Sequence, residues 1–304
     1  MQYFNLDIFK KKNNELKEDI ICFNVEDQIT SKVRDFYNVK PFPNYDNLEN
    51  KHSLSIKGKN NLLLSQLKDF IGYKKNFLEV GSGTCQLSLY LSIGTNNNIF
   101  ALDPSFESLK LGKNFAKNNN INNVTFISAD IFDDVLAPNI FDFIWCNGVL
   151  HHTKDPYLGF QIIIKSLKKN GYIIVGLYNK IGRLRTIIRK FFYKIFGENF
   201  LFLFDPTLKK LKISEDQKKA WIRDQYEHPV ESRHTFDEIL DWFEKNNIEF
   251  INSIPASNLF SNEINLFEKT KKNNSLINLL IQFFMIFTKI GSDGGLFIFI
   301  GKKK

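Results

Sequence analysis

Between residues 77 and 177 the chain repeats one pattern: a short apolar run, a turn, then an amphipathic stretch. The apolar runs lie at 77–80, 99–102, 124–127, 141–146 and 172–177, and the helical spacings between them at 84–93, 106–118 and 156–168. Runs this short and this uniformly apolar predict strands buried on both faces. A helix between successive strands carries the chain back to its starting end, so the strands pair in parallel. The spacing therefore predicts an α/β fold, a mostly parallel sheet with helices on both faces. Ligands of such sheets bind at the carboxyl ends of the strands, where the strand order reverses.

Each of the first four runs ends in polar residues suited to part of one ligand. The first continues as Phe77-Leu-Glu-Val-Gly-Ser-Gly-Thr-Cys-Gln86, placing Glu79 just before Gly81 and Gly83. Glycine suits a tight turn that a ligand approaches closely, because a Cβ would block the dihedrals or the contact. The second run ends at Asp103, roughly twenty residues past the glycines, the spacing at which a carboxylate accepts both hydroxyls of a ribose. The third is followed by Ala129-Asp130-Ile131, where an acid could accept from an exocyclic amine. The fourth ends in Asn147-Gly-Val-Leu-His-His152, and Asp155-Pro156 then starts a helix as N-cap and first-turn proline. Plainer readings stay open: a mere turn at Gly81 and Gly83, a cap at Asp103, a turn acid at Asp130. His151 and His152 read first as packing groups on the floor of a site and second as proton acceptors. No third ligand stands at zinc spacing near them, so no metal is expected.

Composition bounds the rest. At 304 residues, 43% hydrophobic and 24% charged, the chain suits one large domain with insertions. The 41 basic and 33 acidic residues are spread diffusely, a weak basis for binding nucleic acid or anionic lipid. Three cysteines, Cys22, Cys85 and Cys146, form no metal-ligand pair and fit a reducing compartment. Lys10, Lys11 and Lys12 are followed by polar residues rather than the apolar core of a signal peptide. The segment 276–290 is broken by Asn278, Gln282 and Lys289, too short and too polar to span a bilayer. A cytoplasmic location is expected.

Residues 1–60 read as an extension and 61–304 as the main domain, with insertions at about 180–230 and 255–292. Thr235-Phe-Asp-Glu238 is a capping box, and 248–254 and 296–300 predict two closing strands. Within the first insertion, Ile187, Ile188, Phe191, Phe192, Ile195 and Phe196 form one helical stripe, with Arg185, Arg189, Lys190 and Lys194 on the other face. That helix packs on the body of the protein, or it lies on an anionic membrane as a peripheral contact at the inner face.

Taken in order, Glu79-Val-Gly-Ser-Gly, Leu102-Asp103-Pro-Ser, Ala129-Asp130-Ile131, the run from Phe141 to Pro156 and Lys169-Asn-Gly171-Tyr-Ile-Ile-Val resemble the class I S-adenosylmethionine-dependent methyltransferases. The resemblance covers about 61–180, more weakly 235 to the end. It implies a Rossmann-like seven-stranded sheet, the last strand antiparallel, and S-adenosylmethionine as cofactor. Gly81 and Gly83 would lie against the methionine part, Glu79 would receive its ammonium, and Asp103 would hold the ribose. Asp130 with the Ile131 amide would bind adenine, and Asn147 and Gly148 would line the site beside the sulfonium. Cys85 stands where the family usually has a third glycine. Gly148-Val-Leu-His-His, Pro41-Phe-Pro-Asn-Tyr45 and Asp224-Gln-Tyr-Glu-His-Pro229 look like one bacterial group of such enzymes.

Methyl transfer needs a dry pocket and, for oxygen or nitrogen acceptors, a proton acceptor. His151, His152 and His228 are candidates, and Tyr45 and Tyr178 could orient the acceptor. The extension and the 180–230 insertion would form a lid. The expected acceptor is a small molecule or lipid-like; nucleic acid is disfavoured, because no base-flipping motif follows the fourth strand. Two rivals remain: a non-catalytic binding or assembly protein, and a nicotinamide-dependent oxidoreductase, although Gln86 replaces the third glycine of that fingerprint. Acceptor atom and oligomeric state are not set by the sequence.

Overall fold

In the computed structural model, the described residues are 8–10, 14–25, 27–43, 45, 50–210, 215–256, 265–287 and 294–304. Asn44 of the Pro41–Tyr45 motif, Lys11, Lys12, Lys289 and parts of both insertions lie outside them.

The five predicted strands form as β3 (Asn76–Val80), β4 (Asn98–Asp103), β5 (Val124–Ser128), β6 (Phe141–Asn147) and β7 (Leu167–Tyr178), and the closing pair as β8 (Ile248–Ile254) and β9 (Leu296–Lys303). Two short strands precede them, β1 (Glu15–Lys17) and β2 (Ile20–Cys22). The sheet runs β1-β2-β5-β4-β3-β6-β7-β9-β8, nine strands rather than the seven expected. The extra pair is a hairpin from the N-terminal extension whose second strand lies parallel to β5, with Ile21 opposite Ile127. Ile20 and Ile21 are buried, so the extension contributes to the core. The last strand, β9, is antiparallel to both neighbours, as anticipated.

The helices are α1 (Gln28–Val39), α2 (Lys51–Lys59), α3 (Leu62–Ile71), α4 (Gln86–Ser92), α5 (Phe106–Asn118), α6 (Pro156–Lys165), α7 (Leu184–Phe196), α8 (Glu198–Phe204), α9 (Pro206–Lys210), α10 (Glu215–Ile222), α11 (Phe236–Lys245) and α12 (Ser275–Phe287). Helix α6 stops at Lys165, three residues short of the sequence expectation, because Leu167 already pairs with Phe141 on β6. Alternating side chains of β3 supply both cores. Leu78 and Val80 join Phe160, Ile163, Trp242 and Phe243 on one face, while Phe77 joins Leu67, Leu89 and Leu109 on the other. Both faces of the sheet are covered, which explains the uniformly apolar runs. The chain leaves β3 toward β4 and β5, then returns to build β6 and β7 on its other side. That reversal puts the crevice at the ends of β3 and β6.

Candidate functional site

A cavity of about 550 Å³ opens at this reversal, lined from the ends of β3, β4 and β6, from the turn after β5, and from both the extension and the first insertion. Its size falls within the usual range for small-molecule sites, roughly 300–1,000 Å³.

The glycine turn forms its floor. Gly81 has φ +66° and donates its N–H to Leu102 O; a Cβ there would overlap Val149. Gly83 has φ +51°, and a Cβ would overlap the carbonyl oxygen of Phe42. The constraint at Gly83 thus comes from the extension, which is pressed onto the turn. Thr84 Oγ1 donates to Pro43 O, and Tyr45 OH donates to Thr84 O at 2.5 Å. Cys85, in the third glycine position, takes the left-handed conformation with φ +65°. Its thiol is buried and packs against α5, where a Cβ on Gly112 would come within 2.9 Å of Sγ. Cys85 is absent from the cavity lining, so it does not narrow the site.

The acids behave differently from one another. Glu79 Oε2 accepts from Ser88 N at 2.9 Å and from Ser88 Oγ at 2.5 Å. Burial pushes its carboxyl up to about 8, against the pull of the two Ser88 donors. Asp103 Oδ2 accepts from Gly83 N and Oδ1 from Ser105 N, both at 2.8 Å. Burial raises it to about 6, the two amides opposing. Asp130 uses Oδ1 to accept from Phe132 N, while its Oδ2 is buried with no partner. Asn147 Oδ1 is likewise buried and unpaired. A buried acceptor without a donor costs about 1–3 kcal/mol. Both residues line the cavity, so a bound ligand is the available source of donors.

The roof joins the two segments expected to form a lid. Tyr37 of α1 donates to Asp224 Oδ1 at 2.8 Å, and Gln225 Nε2 donates to Asp224 Oδ2 and to Tyr178 OH. Arg223 Nη2 donates to Phe36 O, its guanidinium lying 4.5 Å from the Phe36 ring centre. Asp224 and Gln225 sit on a π-helical turn, Arg223–Glu227, a wide turn that is frequent at functional sites. Behind them Arg183, fully buried, lies 3.5 Å over the Tyr178 ring and pairs with Glu231 at 2.7 Å. Asp224 lines the wall although no local pattern in Asp224-Gln-Tyr-Glu-His-Pro229 marks it as a site residue.

The histidines separate. His152 lines the cavity. Its Nδ1 lies 2.6 Å from Val230 O, a carbonyl that can only accept, so Nδ1 carries the proton and Nε2 is left as an acceptor. Burial pushes its imidazole down to about 3, so the ring is neutral. His228 stacks on it at 3.5 Å and shares the same carbonyl. His151 is fully buried, wedged against Tyr178 at 3.9 Å with both ring nitrogens unpaired, and lies outside the cavity lining. The geometry places it as a packing group. Tyr45 also departs from expectation: it stacks on Phe115 at 4.7 Å and clamps Thr84, away from the lining, whereas Tyr178 lines the cavity. Glu79, Gly81, Gly83, Asp103, Asp130, Ile131, Asn147 and Gly148 are brought together around the one cavity. No group of side chains suited to a metal occurs among the described residues.

Residues 71–195 match the family model described as a methyltransferase domain. That span runs from the end of α3 through β7 into α7 and contains every acid of the cavity floor. An uncharacterized protein from Synechococcus sp. is 24% identical over 203 residues, 59% of this chain and 48% of its own length. The chain therefore spans about half the length of that curated relative. Among solved structures, PKMT2 from Rickettsia typhi in complex with AdoHcy superposes with a TM-score of 0.54 at 15% identity, covering 75% of this chain and 48% of PKMT2. A second structure of PKMT2 gives 0.55 at 16% identity, covering 79% and 52%. These likenesses show the fold: a Rossmann-like methyltransferase sheet, here widened by the β1–β2 hairpin.

Proposed function

We propose that this protein is a methyltransferase that takes its methyl group from S-adenosylmethionine and passes it to a small or lipid-like acceptor. The observation that carries the reading is the match between unmet groups in the cavity and that cofactor. Asp130 Oδ2 is a buried acceptor awaiting an amine, and the adjacent Ile131 amide completes an adenine edge. Asp103, oriented by two amides, keeps lone pairs for two ribose hydroxyls. Glu79, with Oε2 taken by Ser88, offers Oε1 to an ammonium. Four carboxyls and no lysine or arginine line the cavity among the described residues, which suits a cationic ligand.

When bound, S-adenosylmethionine supplies an electrophilic methyl group carried on a sulfonium. Asn147 and Gly148, at the end of β6, border the space beside it, and the glycine turn holds the backbone close. Tyr37, Phe42, Tyr178 and Trp221 cover the space and exclude water. Their ring faces favour positive charge. His152, its ring neutral and fixed through Nδ1 by Val230 O, would accept a hydrogen bond at Nε2 from the acceptor's O–H or N–H and so orient it. Tyr178, held by Gln225, orients the acceptor.

Titration calorimetry with S-adenosylmethionine and with NAD tests the reading: one-site binding of the first and none of the second is expected. Binding of NAD alone would instead establish the oxidoreductase alternative.

A further inference from the structure

Helix α12 is built inside out. Its two polar residues beyond the first turn, Asn278 and Gln282, point inward and are buried. Asn278 Nδ2 donates to Asp237 Oδ1 at 2.6 Å. Gln282 Oε1 accepts from Asn179 Nδ2 at 2.8 Å and from Phe236 N at 3.2 Å, while its Nε2 donates to Asn278 O. The outward face carries Leu276, Leu279, Leu280, Phe283, Phe284 and Phe287, each about half exposed or more (47–66%). A helix stabilised only by water on its outer side shows the opposite arrangement. A contiguous apolar face of this kind marks a contact surface.

The neighbouring α7 extends the feature. Arg185 Nη1 donates to Ile286 O at 3.1 Å and ties the two helices together. Ile188, Phe191, Ile195 and Phe196 of α7 are exposed, as are Leu203 and Phe204 of α8. Rather than packing its whole apolar stripe on the body of the protein, α7 buries only Thr186 completely. It bears Arg185, Arg189, Lys190 and Lys194 and no acid.

We infer that the exposed faces of α12 and α7 dock this protein on the interfacial layer of an anionic lipid bilayer. Between Leu276 and Phe287 no polar side chain faces outward, so a protein partner finds nothing there to fix its register, whereas acyl chains need none. Arg185 and Lys194, exposed on α7, supply the charge that anionic headgroups attract, while Arg189 and Lys190 are partly buried. Thirteen residues make a helix about 20 Å long, too short for a hydrocarbon core of about 30 Å, so α12 lies in the interface rather than across it. No helix among the described residues is long and apolar enough to cross a membrane. A cleft lined by Arg185, Arg189, Met285 and Phe287 shares Thr207, Trp221 and Gln225 with the main cavity. The docking face therefore adjoins the acceptor side of the site.

Co-sedimentation of the full chain with phosphatidylglycerol/phosphatidylcholine vesicles and with pure phosphatidylcholine vesicles tests this without any turnover. The protein should partition onto the anionic vesicles, and L280E/F283E should lower its partition at least about tenfold. K194E should lower anionic binding about 30-fold, roughly 1 kcal/mol for each of the two units of charge it changes. Circular dichroism and thermal melting should match the parent, because the substituted side chains of Leu280, Phe283 and Lys194 are exposed. Equal binding to both vesicle types, no binding to either, or binding that L280E/F283E leaves intact would each overturn the inference. A concentration-dependent dimer that L280E disperses, with no vesicle binding, would assign the face to a second copy instead.

Discussion

Protonation of Glu79 should control how tightly the cofactor binds. The carboxyl is fully enclosed and its pKa is pushed up to about 8, so at pH 7 about nine molecules in ten hold the proton when the site is empty. An ammonium placed against Oε1 favours the carboxylate, and binding must then expel that proton. The affinity for S-adenosylmethionine should rise about ninefold between pH 6 and pH 7 from Glu79 alone. Asp103, raised to about 6, adds about twofold over the same interval if its carboxylate is the form that holds the ribose. Calorimetry at pH 7 in two buffers of different ionisation enthalpy should show about 0.9 proton released per cofactor bound. Glu79→Gln keeps an acceptor for Ser88 but cannot ionise, so it should weaken binding and flatten most of the pH dependence. A flat affinity from pH 6 to 7 with no proton release would refute the assignment of Glu79 to the ammonium. The same shift has a sign for folding. Because the folded pKa lies above the ordinary value of 4.5, Glu79 contributes stability below about 4.5 that is lost as pH rises through about 8. The empty protein should melt at lower temperature as pH climbs through that window.

Asp103→Ala removes the acceptor for the Gly83 and Ser105 amides as well as for the ribose; S-adenosylmethionine affinity measured by calorimetry should fall about 10–100-fold, about 1.5–3 kcal/mol. Tyr37→Phe deletes the bond that joins α1 to Asp224 and leaves that buried carboxylate one donor short, so thermal melting should report a loss of about 1–3 kcal/mol. Cys85→Gly should change cofactor affinity less than about threefold, under 1 kcal/mol, because the thiol packs on Gly112 and not in the cavity. His152→Ala should lower turnover about 3–10-fold, the loss of one orienting hydrogen bond to the acceptor, while calorimetry shows cofactor affinity nearly unchanged.

The centre of the fold was legible because its signals are local. Each of β3 to β7 is an apolar run followed by turn chemistry, and Asp155, Ser105 and Thr235 cap the helices that follow them. The floor of the site was legible for the same reason: its acids and glycines stand at strand ends. What escaped was non-local. The β1–β2 hairpin contributes three residues per strand, and Glu15–Lys17 is exposed throughout, so no alternation announces it. Helix α2 has a polar sequence and is defined mainly by its Asn50–Ser53 capping box. The bond from Tyr37 to Asp224 joins residues 187 apart, a pairing no local pattern carries. Tyr45 and His151 carry suitable side chains, but packing turned one onto Thr84 and the other behind His152. In α12 the clue was present: Asn278 and Gln282, four residues apart, share one helical face. They interrupt a membrane span, and they also leave the opposite face wholly apolar.

Incubating the protein with methyl-labelled S-adenosylmethionine and a whole-cell extract, separated into aqueous and organic fractions, tests methyl transfer itself. A labelled small or lipid-soluble product should form with the parent chain and fall sharply with Asp103→Ala. Label that stays on the donor, with cofactor binding intact in calorimetry, would contradict catalysis and identify a protein that binds the cofactor without using it.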